Sequence, residues 1–246
     1  MRYFLDLSYK GTNYHGWQQQ LNAYSVQEEV EKALSIVFRT KTTVIASGRT
    51  DTGVHAVQQM VHLDVEEEFN ADHVHKLNKI LPQEVSINAF YKVKENANAR
   101  YNASSRKYEY FITKVKNPFR YGLVYYFNKP LDVEKMNQAA AILLKHKNFQ
   151  SFSKVKTEVN NFLCDIRLAH WEEKGNDLIF HIEANRFLRG MVRAIVGTML
   201  DIGQDKISLE EFESIILKKD RREASAAAPP QGLYLVKINY PEDVFL

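Results

Sequence analysis

What most constrains the fold of this chain is the order in which two hydrophobic periodicities succeed one another. Residues 2–9 alternate, with Tyr3, Leu5, Leu7 and Tyr9 on one side, the pattern of a strand with one buried face. A polar loop runs to Tyr24, and the period then becomes helical. Ser25 and Glu28 have the spacing of a capping box, and Val26, Val30, Ala33, Leu34 and Val37 form an apolar stripe that ends near Arg39. Two strand-like stretches follow, 42–47 and 54–65, joined by Gly48–Gly53; then a helix over 71–81, stopped by Pro82, and a strand over 85–93. The same order returns as strand 106–115, helix 133–146, hairpin strands 162–173 and 177–184, helix 187–201 and strand 233–239. Asp132 caps the third helix, with Leu131 and Met136 as its hydrophobic staple, and Ser208 with Glu211 opens an additional helix over 209–218.

Two successive βαββαβ orders predict an α+β chain made of two ferredoxin-like halves, with mostly antiparallel sheets and helices packed on one face. The division falls within Asn96–Ser105, giving halves of 1–100 and 101–246. The repeat is one of order and not of residue identity, and an undivided α+β domain is the alternative. At 246 residues and 45% hydrophobic, the chain can bury a sizeable core. With 33 basic against 30 acidic side chains, a formal charge of +3, it is neither disordered nor supercharged.

Compartment follows from what is scarce. The single cysteine, Cys164, cannot form an internal disulfide and offers no thiolate cluster to zinc or iron. The longest apolar run, Met191–Leu200, contains Arg193 and is shorter than the roughly 18 to 20 residues of a membrane span. The amino terminus alternates and has no apolar block before a small-residue cleavage site. A cytoplasmic protein without membrane insertion is expected.

Eight histidines are scattered with no metal-binding spacing, and His73 and His75 point to different sides of their helix, so no metal site is expected. Dinucleotide, P-loop and serine-hydrolase signatures are missing. What stands out is Gly48-Arg49-Thr50-Asp51-Thr52-Gly53 between two strands. Such a loop presents one carboxylate at a cleft with Arg49 nearby, or it is an ordinary hairpin turn. Asp-Thr-Gly also suits an aspartic hydrolase, but that chemistry needs a second aspartate, and the nearest string, Asp201-Ile202-Gly203, falls at a helix end.

From Arg100 to Arg120, six basic residues including Arg106 and Lys107 face only Glu109, a local net of +5, with Tyr101, Tyr108, Tyr110, Phe111 and Phe119 interleaved. Cations for phosphates and aromatic faces for unstacked bases are what looped RNA requires. Tyr108, Tyr110 and Ile112 share a strand face, and Tyr110 is expected in the core. Arg186, Arg189 and Arg193 are spaced to share one side of the fourth helix, a solvated row or a carboxylate or phosphate contact. The loop 9–20, with Trp17 and Gln18–Gln20, reads as a binding loop or as a long turn packed around its Trp.

Together these strings resemble the TruA family of tRNA pseudouridine synthases. Residues 9–20, YKGTNYHGWQQQ, match the family's YxGTxYxGWQxQ, and 48–56, GRTDTGVHA, match its catalytic GRTDxGVHA. SRKYEY at 105–110, FLRGMVR at 187–193 and APPQGL at 228–233 resemble three further family segments, so the likeness covers nearly the whole chain. The resemblance implies a pseudouridine synthase fold. It also implies Asp51 as catalytic aspartate, Arg193 as its ion-pair partner, Arg49 as the residue holding the extruded nucleotide, and Tyr108 as the ring stacking on the target uracil. Arg106, Lys107, Trp17 and Gln18 would then contact substrate, namely uridines 38 to 40 in the anticodon stem-loop of tRNA. A homodimer needing no cofactor and no metal is implied as well. Gln58, Asn98, Asn148, Ser225 and Ala227 depart from the family pattern.

That chemistry fits the inventory. Moving uracil from an N1 to a C5 glycosidic link involves no net redox change or hydrolysis, and one carboxylate suffices as nucleophile at the sugar, nucleophile at the ring, or base at the ribose. A noncatalytic RNA-binding module would keep the aromatic and basic features without needing Asp51.

Overall fold

The computed structural model describes residues 1–155 and 161–246, and the chain divides into two compact units, 1–105 with 234–246, and 106–233. In chain order the elements are β1 (Arg2–Tyr9), α1 (Val26–Phe38), β2 (Ile45–Ala46), β3 (His55–Asp64), α2 (Ala71–Ile80), β4 (Val85–Lys92), β5 (Ser105–Thr113), β6 (Tyr125–Tyr126), α3 (Val133–Leu143), β7 (Ile166–Lys174), β8 (Asp177–Ala184), α4 (Met191–Gly203), α5 (Leu209–Lys218) and β9 (Leu233–Asn239). This is the α+β class expected.

In the first unit β1 lies between β3 and β4, antiparallel to both, and β2 pairs antiparallel with the far side of β3. The spatial order β4-β1-β3-β2 is that of a ferredoxin-like βαββαβ unit. Tyr3, Leu5, Leu7 and Tyr9 are buried as the alternation requires, and Tyr3 packs 5.7 Å from Phe69, which in turn packs on Phe38 of α1. The opposite face is closed at one end by the carboxyl-terminal segment, where Tyr240 and Phe245 lie 5.1 and 6.2 Å from the Phe4 ring.

Two expectations change here. The strand foreseen over 42–47 contracts to Ile45–Ala46, because the preceding backbone bonds to helix α1 instead. Thr42 N–H donates to Ser35 Oγ and Val44 N–H to Glu31 Oε1, both 3.0 Å. The last strand, foreseen in the second half, returns from Tyr234 onward to the first unit, where β9 runs parallel to β3 at His55–Tyr234 and Ala56–Leu235.

The second unit has β8 between β5 and β7, antiparallel to both, with β6 in a short parallel pair beside β5. Helix α4 is buried almost all round, from Met191 to Gly203, and only Arg193 and Asp201 are partly exposed along it. Trp171 on β7 donates its indole N–H to Met199 Sδ of α4 at 3.3 Å, and Asn137 of α3 bonds both backbone groups of Trp171. The three N-caps read from sequence are present, but Ser25 and Glu28 do not complete the reciprocal capping box expected of them. Ser25 and Asp132 accept from the third helical N–H, and Ser208 with Glu211 forms a reciprocal capping box. The fourth helix does not begin at Phe187. Gly190 takes a left-handed φ of 72° and Met191 is the first helical residue, so Arg186 and Arg189 lie in the preceding turn and do not share a helix face with Arg193.

Candidate active site

The loop 48–53 is built by bonds arriving from distant sequence. Its start is held by the buried Gln59 of β3, which accepts from Ser47 Oγ at 2.6 Å and donates to Gly48 O at 2.9 Å. Thr50 is held twice. Its hydroxyl shares a buried 2.8 Å hydrogen bond with Tyr9 at the end of β1, and its carbonyl accepts from Trp17 N–H at 3.2 Å. After Asp51 the chain turns back on itself: Val54 N–H donates to Asp51 O at 3.1 Å, with Gly53 at φ 77°, where only glycine sits without strain. Gly53 N–H in turn donates to Tyr14 O at 3.3 Å. His55 closes the arrangement as β3 begins. Its Nδ1 accepts from Gly11 N–H at 3.1 Å, and its ring stacks on Tyr234 at 4.5 Å.

Asp51 is half-buried on this loop and Arg49 is exposed. Trp17 is only 2% exposed and packs 5.9 Å from the Tyr9 ring, so the indole belongs to the packing of the long turn, while Gln18 beside it is half-buried. Burial, with Glu29 and Glu84 nearby, pushes the Tyr14 hydroxyl up to about 12, and its ring stacks on Tyr24 at 5.4 Å. The buried Tyr14 ring belongs to the packing of this turn.

In the second unit Tyr108 and Tyr110 lie on the same face of β5 and differ in exposure. Tyr110 is fully buried, its hydroxyl donating to Pro229 O at 2.7 Å, as expected of a core tyrosine. Tyr108 is half-buried, with Phe187 edge-on at 5.2 Å. Arg193 donates its Nε–H to Ala228 O at 2.7 Å, and its own carbonyl accepts from Ala228 N–H, so the 225–229 segment is fastened along α4. The basic stretch is less positive than its string suggests. Lys107 pairs with Glu109 at 3.1 Å, Lys114 with Glu173 and Arg120 with Asp177, both at 2.8 Å, while Arg106 donates to the Asn185 carbonyl.

The histidines are placed structurally. His62, held below its ordinary value by burial, accepts from Ala99 N–H through Nδ1, and His181 bridges Glu109 and Glu172. Among the described residues no group of three or more His, Cys, Asp or Glu side chains is arranged to hold a metal ion. No helix of the described chain is long and apolar enough to cross a membrane. Asp201, the only other aspartate in an Asp-x-Gly string, sits near the end of α4 and pairs with Lys206, so the second loop of an aspartic hydrolase is not formed.

Sequence reasoning passed over Tyr9, Thr50 and Gln59 as members of the loop's frame. No local signal marks them: Gln59 lies in a buried run of β3 that also holds the polar His62. Three of the departures from the family pattern make bonds of their own. Gln58 links Asp6 to the backbone N–H of Ile238, Asn98 caps the turn carrying Arg100 and Tyr101, and Asn148 accepts from Gln150 N–H.

A family model described as tRNA pseudouridine synthase matches residues 7–102 and 139–241, which include both glycine-bearing loops. The chain is 46% identical over 247 residues to tRNA pseudouridine synthase A of Bacteroides fragilis, covering 99% of this chain and 98% of that one. It is 44% identical to the protein of that name from Porphyromonas gingivalis (100% and 99% covered) and 38% identical to that of Francisella tularensis subsp. novicida (99% and 95% covered). Matched end to end at these identities, the chain belongs to the tRNA pseudouridine synthases, the isomerases that convert uridine in tRNA into pseudouridine.

Proposed function

We propose that this protein isomerises uridine at positions 38, 39 and 40 of the tRNA anticodon stem-loop, that Asp51 is its catalytic carboxylate, and that the reaction needs no cofactor. The observation that carries the reading is the placement of Asp51 within the GRTDTGVHA string, on a turn fixed by bonds to both flanking peptides. The reaction breaks the bond from ribose C1′ to uracil N1 and forms one from C1′ to C5, with the C5 proton released to solvent and a proton taken up at N1. Electrons and atoms balance without a redox partner, so a carboxylate acting as nucleophile or base accounts for the step. Arg193 is its ion-pair partner, Tyr108 offers the half-exposed ring on which an unstacked uracil rests, and Arg49 holds the displaced nucleotide. Water must be kept from the intermediate, because capture would leave an abasic ribose. The enzyme works as a homodimer in the cytoplasm.

Release of tritium from tRNA transcripts labelled at uridine C5 tests this directly, with three substrates each keeping uridine at only one of positions 38, 39 and 40. Asp51→Asn should abolish release, by roughly a hundredfold to ten-thousandfold, while tRNA affinity stays within about twofold. Appreciable turnover by the pure variant rules out Asp51, and release from none of the three substrates rules out the anticodon target. Sedimentation of a monomer at micromolar concentration argues against the dimer.

A further inference from the structure

The loop 9–20, which reads as a binding loop or as a long turn packed around its Trp, uses four groups between Tyr9 and Trp17 to hold residues 50–55. Tyr9 bonds the Thr50 hydroxyl, Gly11 bonds His55, Tyr14 accepts from Gly53 and Trp17 donates to Thr50. Two of its glycines are required by the same contact. A Cβ on Gly11 would stand 2.0 Å from Val54 O, and one on Gly16, at φ 95°, would stand 2.5 Å from Thr50 O and 3.2 Å from Asp51 C. Thr50 is therefore fixed through both its side chain and its carbonyl. Gly53 is fixed through its N–H, and the intervening turn is closed by Val54 N–H on Asp51 O. The backbone on both sides of Asp51 is thereby held.

We infer that Tyr9 is a positioning residue for the isomerisation: through Thr50, and together with the Gly11–Trp17 backbone, it sets where the Asp51 carboxylate stands. This rests on the reading of Asp51 as the reacting carboxylate. Of the bonds in the frame, the one from Tyr9 is formed by side chains at both ends, 41 residues apart in sequence and buried, so it can be removed without disturbing any backbone bond. A catalytic group displaced by about 1 Å can lose on the order of a hundredfold in rate while substrate affinity, made elsewhere, is kept.

The test is single-turnover tritium release from a C5-labelled tRNA transcript by the full chain, comparing Tyr9→Phe, Thr50→Val, Thr50→Ser and the double variant Tyr9→Phe/Thr50→Val, with Asp51→Asn alongside. The rate constant should fall about tenfold to a hundredfold in Tyr9→Phe and in Thr50→Val, with the tRNA dissociation constant within about twofold. The double variant should be no slower than the worse single, because both changes remove the same bond. Thr50→Ser keeps the hydroxyl and should regain most of what Thr50→Val loses. A merely structural role lowers the amplitude of the burst and the melting temperature and leaves the rate constant of the active fraction unchanged, and that result overturns the inference. So do losses that multiply in the double variant. If Asp51→Asn is inactive while Tyr9→Phe keeps the wild-type rate constant, only this inference fails. If Asp51→Asn turns over, the reading of Asp51 fails and takes this inference with it.

Discussion

The loop at Gly48–Gly53 and the turn at Arg186–Gly190 both end in a left-handed glycine, with φ of 77° and 72°, and each leads into the element that carries on from it, β3 and α4. They are held in different ways. The first is gripped by three groups from residues 9–17, on Thr50 and Gly53, with a fourth on His55 just after it, and by Gln59 at its start. The second closes on itself, with Met191 N–H on Leu188 O and Ala194 N–H on Gly190 O, and is tied to distant residues by Lys154 N–H on Arg189 O and by the Tyr108 ring against Phe187. Arg193, one turn further on, donates its side-chain Nε–H to the Ala228 carbonyl.

Each unit also has a glycine on which foreign backbone rests closest, and this gives the largest expected effect. A Cβ on Gly11 meets Val54 O at 2.0 Å, and one on Gly197 meets Ala226 O at 1.9 Å. Gly11 lies in a short 3-10 turn, whereas Gly197 is in the middle of a helix buried on all sides. Overpacking against backbone costs about 1 to 3 kcal/mol and more where nothing can shift, so Gly197→Ala should lose about 3 kcal/mol and Gly11→Ala less. Melting temperatures give the ranking. An equal or reversed order means that the amino-terminal turn is the more rigid of the two.

Arg193 sharpens the contrast. Removing it leaves the Ala228 carbonyl without its charged donor, a loss of about 1.5 to 3 kcal/mol. Arg193→Lys keeps the charge but not the planar guanidinium that bonds the carbonyl through Nε. Turnover is expected to fall furthest in Arg193→Ala, less in Arg193→Lys, and not at all in Lys218→Ala, a lysine at the far end of α5 paired with Glu223. If both Arg193 variants keep wild-type turnover, the anchoring at Ala228 is structural only, and Arg49 or Arg189 becomes the better candidate partner for Asp51.

Local order was legible in the residues because caps and stripes act within one helical turn. Ser25, Asp132 and Ser208 each bond a group three positions away, and the buried side of β1 was set by simple alternation. What was not legible was closed by partners far along the chain. The local charge of Arg100–Arg120 looked like +5 because Glu173 and Asp177, which neutralise Lys114 and Arg120, lie 59 and 57 residues away on β7 and β8. The arginine row failed for a different reason: the helical period was continued through Gly190, whose positive φ ends the register that would have joined Arg186 and Arg189 to Arg193. Asp51 was found from its flanking glycines, whereas the frame that fixes it, from Tyr9 and Gln59, has no local signature.

The smallest effect separates the units by their ion pairs. In the first, Arg2 forks onto Asp64 across paired strands, with Nε on Oδ1 at 2.8 Å and Nη2 on Oδ2 at 2.7 Å; in the second, Arg120 bonds Asp177 at 2.8 Å. Hydrogen bonding from the guanidinium holds each carboxyl below its ordinary value, with Thr113 adding to the effect at Asp177. A depressed carboxyl contributes stability that is present above the unfolded value near 3.9 and is lost as pH falls through the folded value. At pH 7, Arg2→Met and Arg120→Met should therefore each lower the melting temperature, by the equivalent of about 0.5 to 1 kcal/mol, and the difference from wild type should shrink as pH falls below about 4. The Asp64 side chain is 62% exposed against 22% for Asp177, so water and salt screen the first pair more. Arg120→Met should then be the costlier change, and raising the salt to about 1 M should erase most of the Arg2→Met difference while leaving part of the other. Equal costs that respond equally to salt would mean that the bidentate geometry of Arg2 offsets its greater exposure.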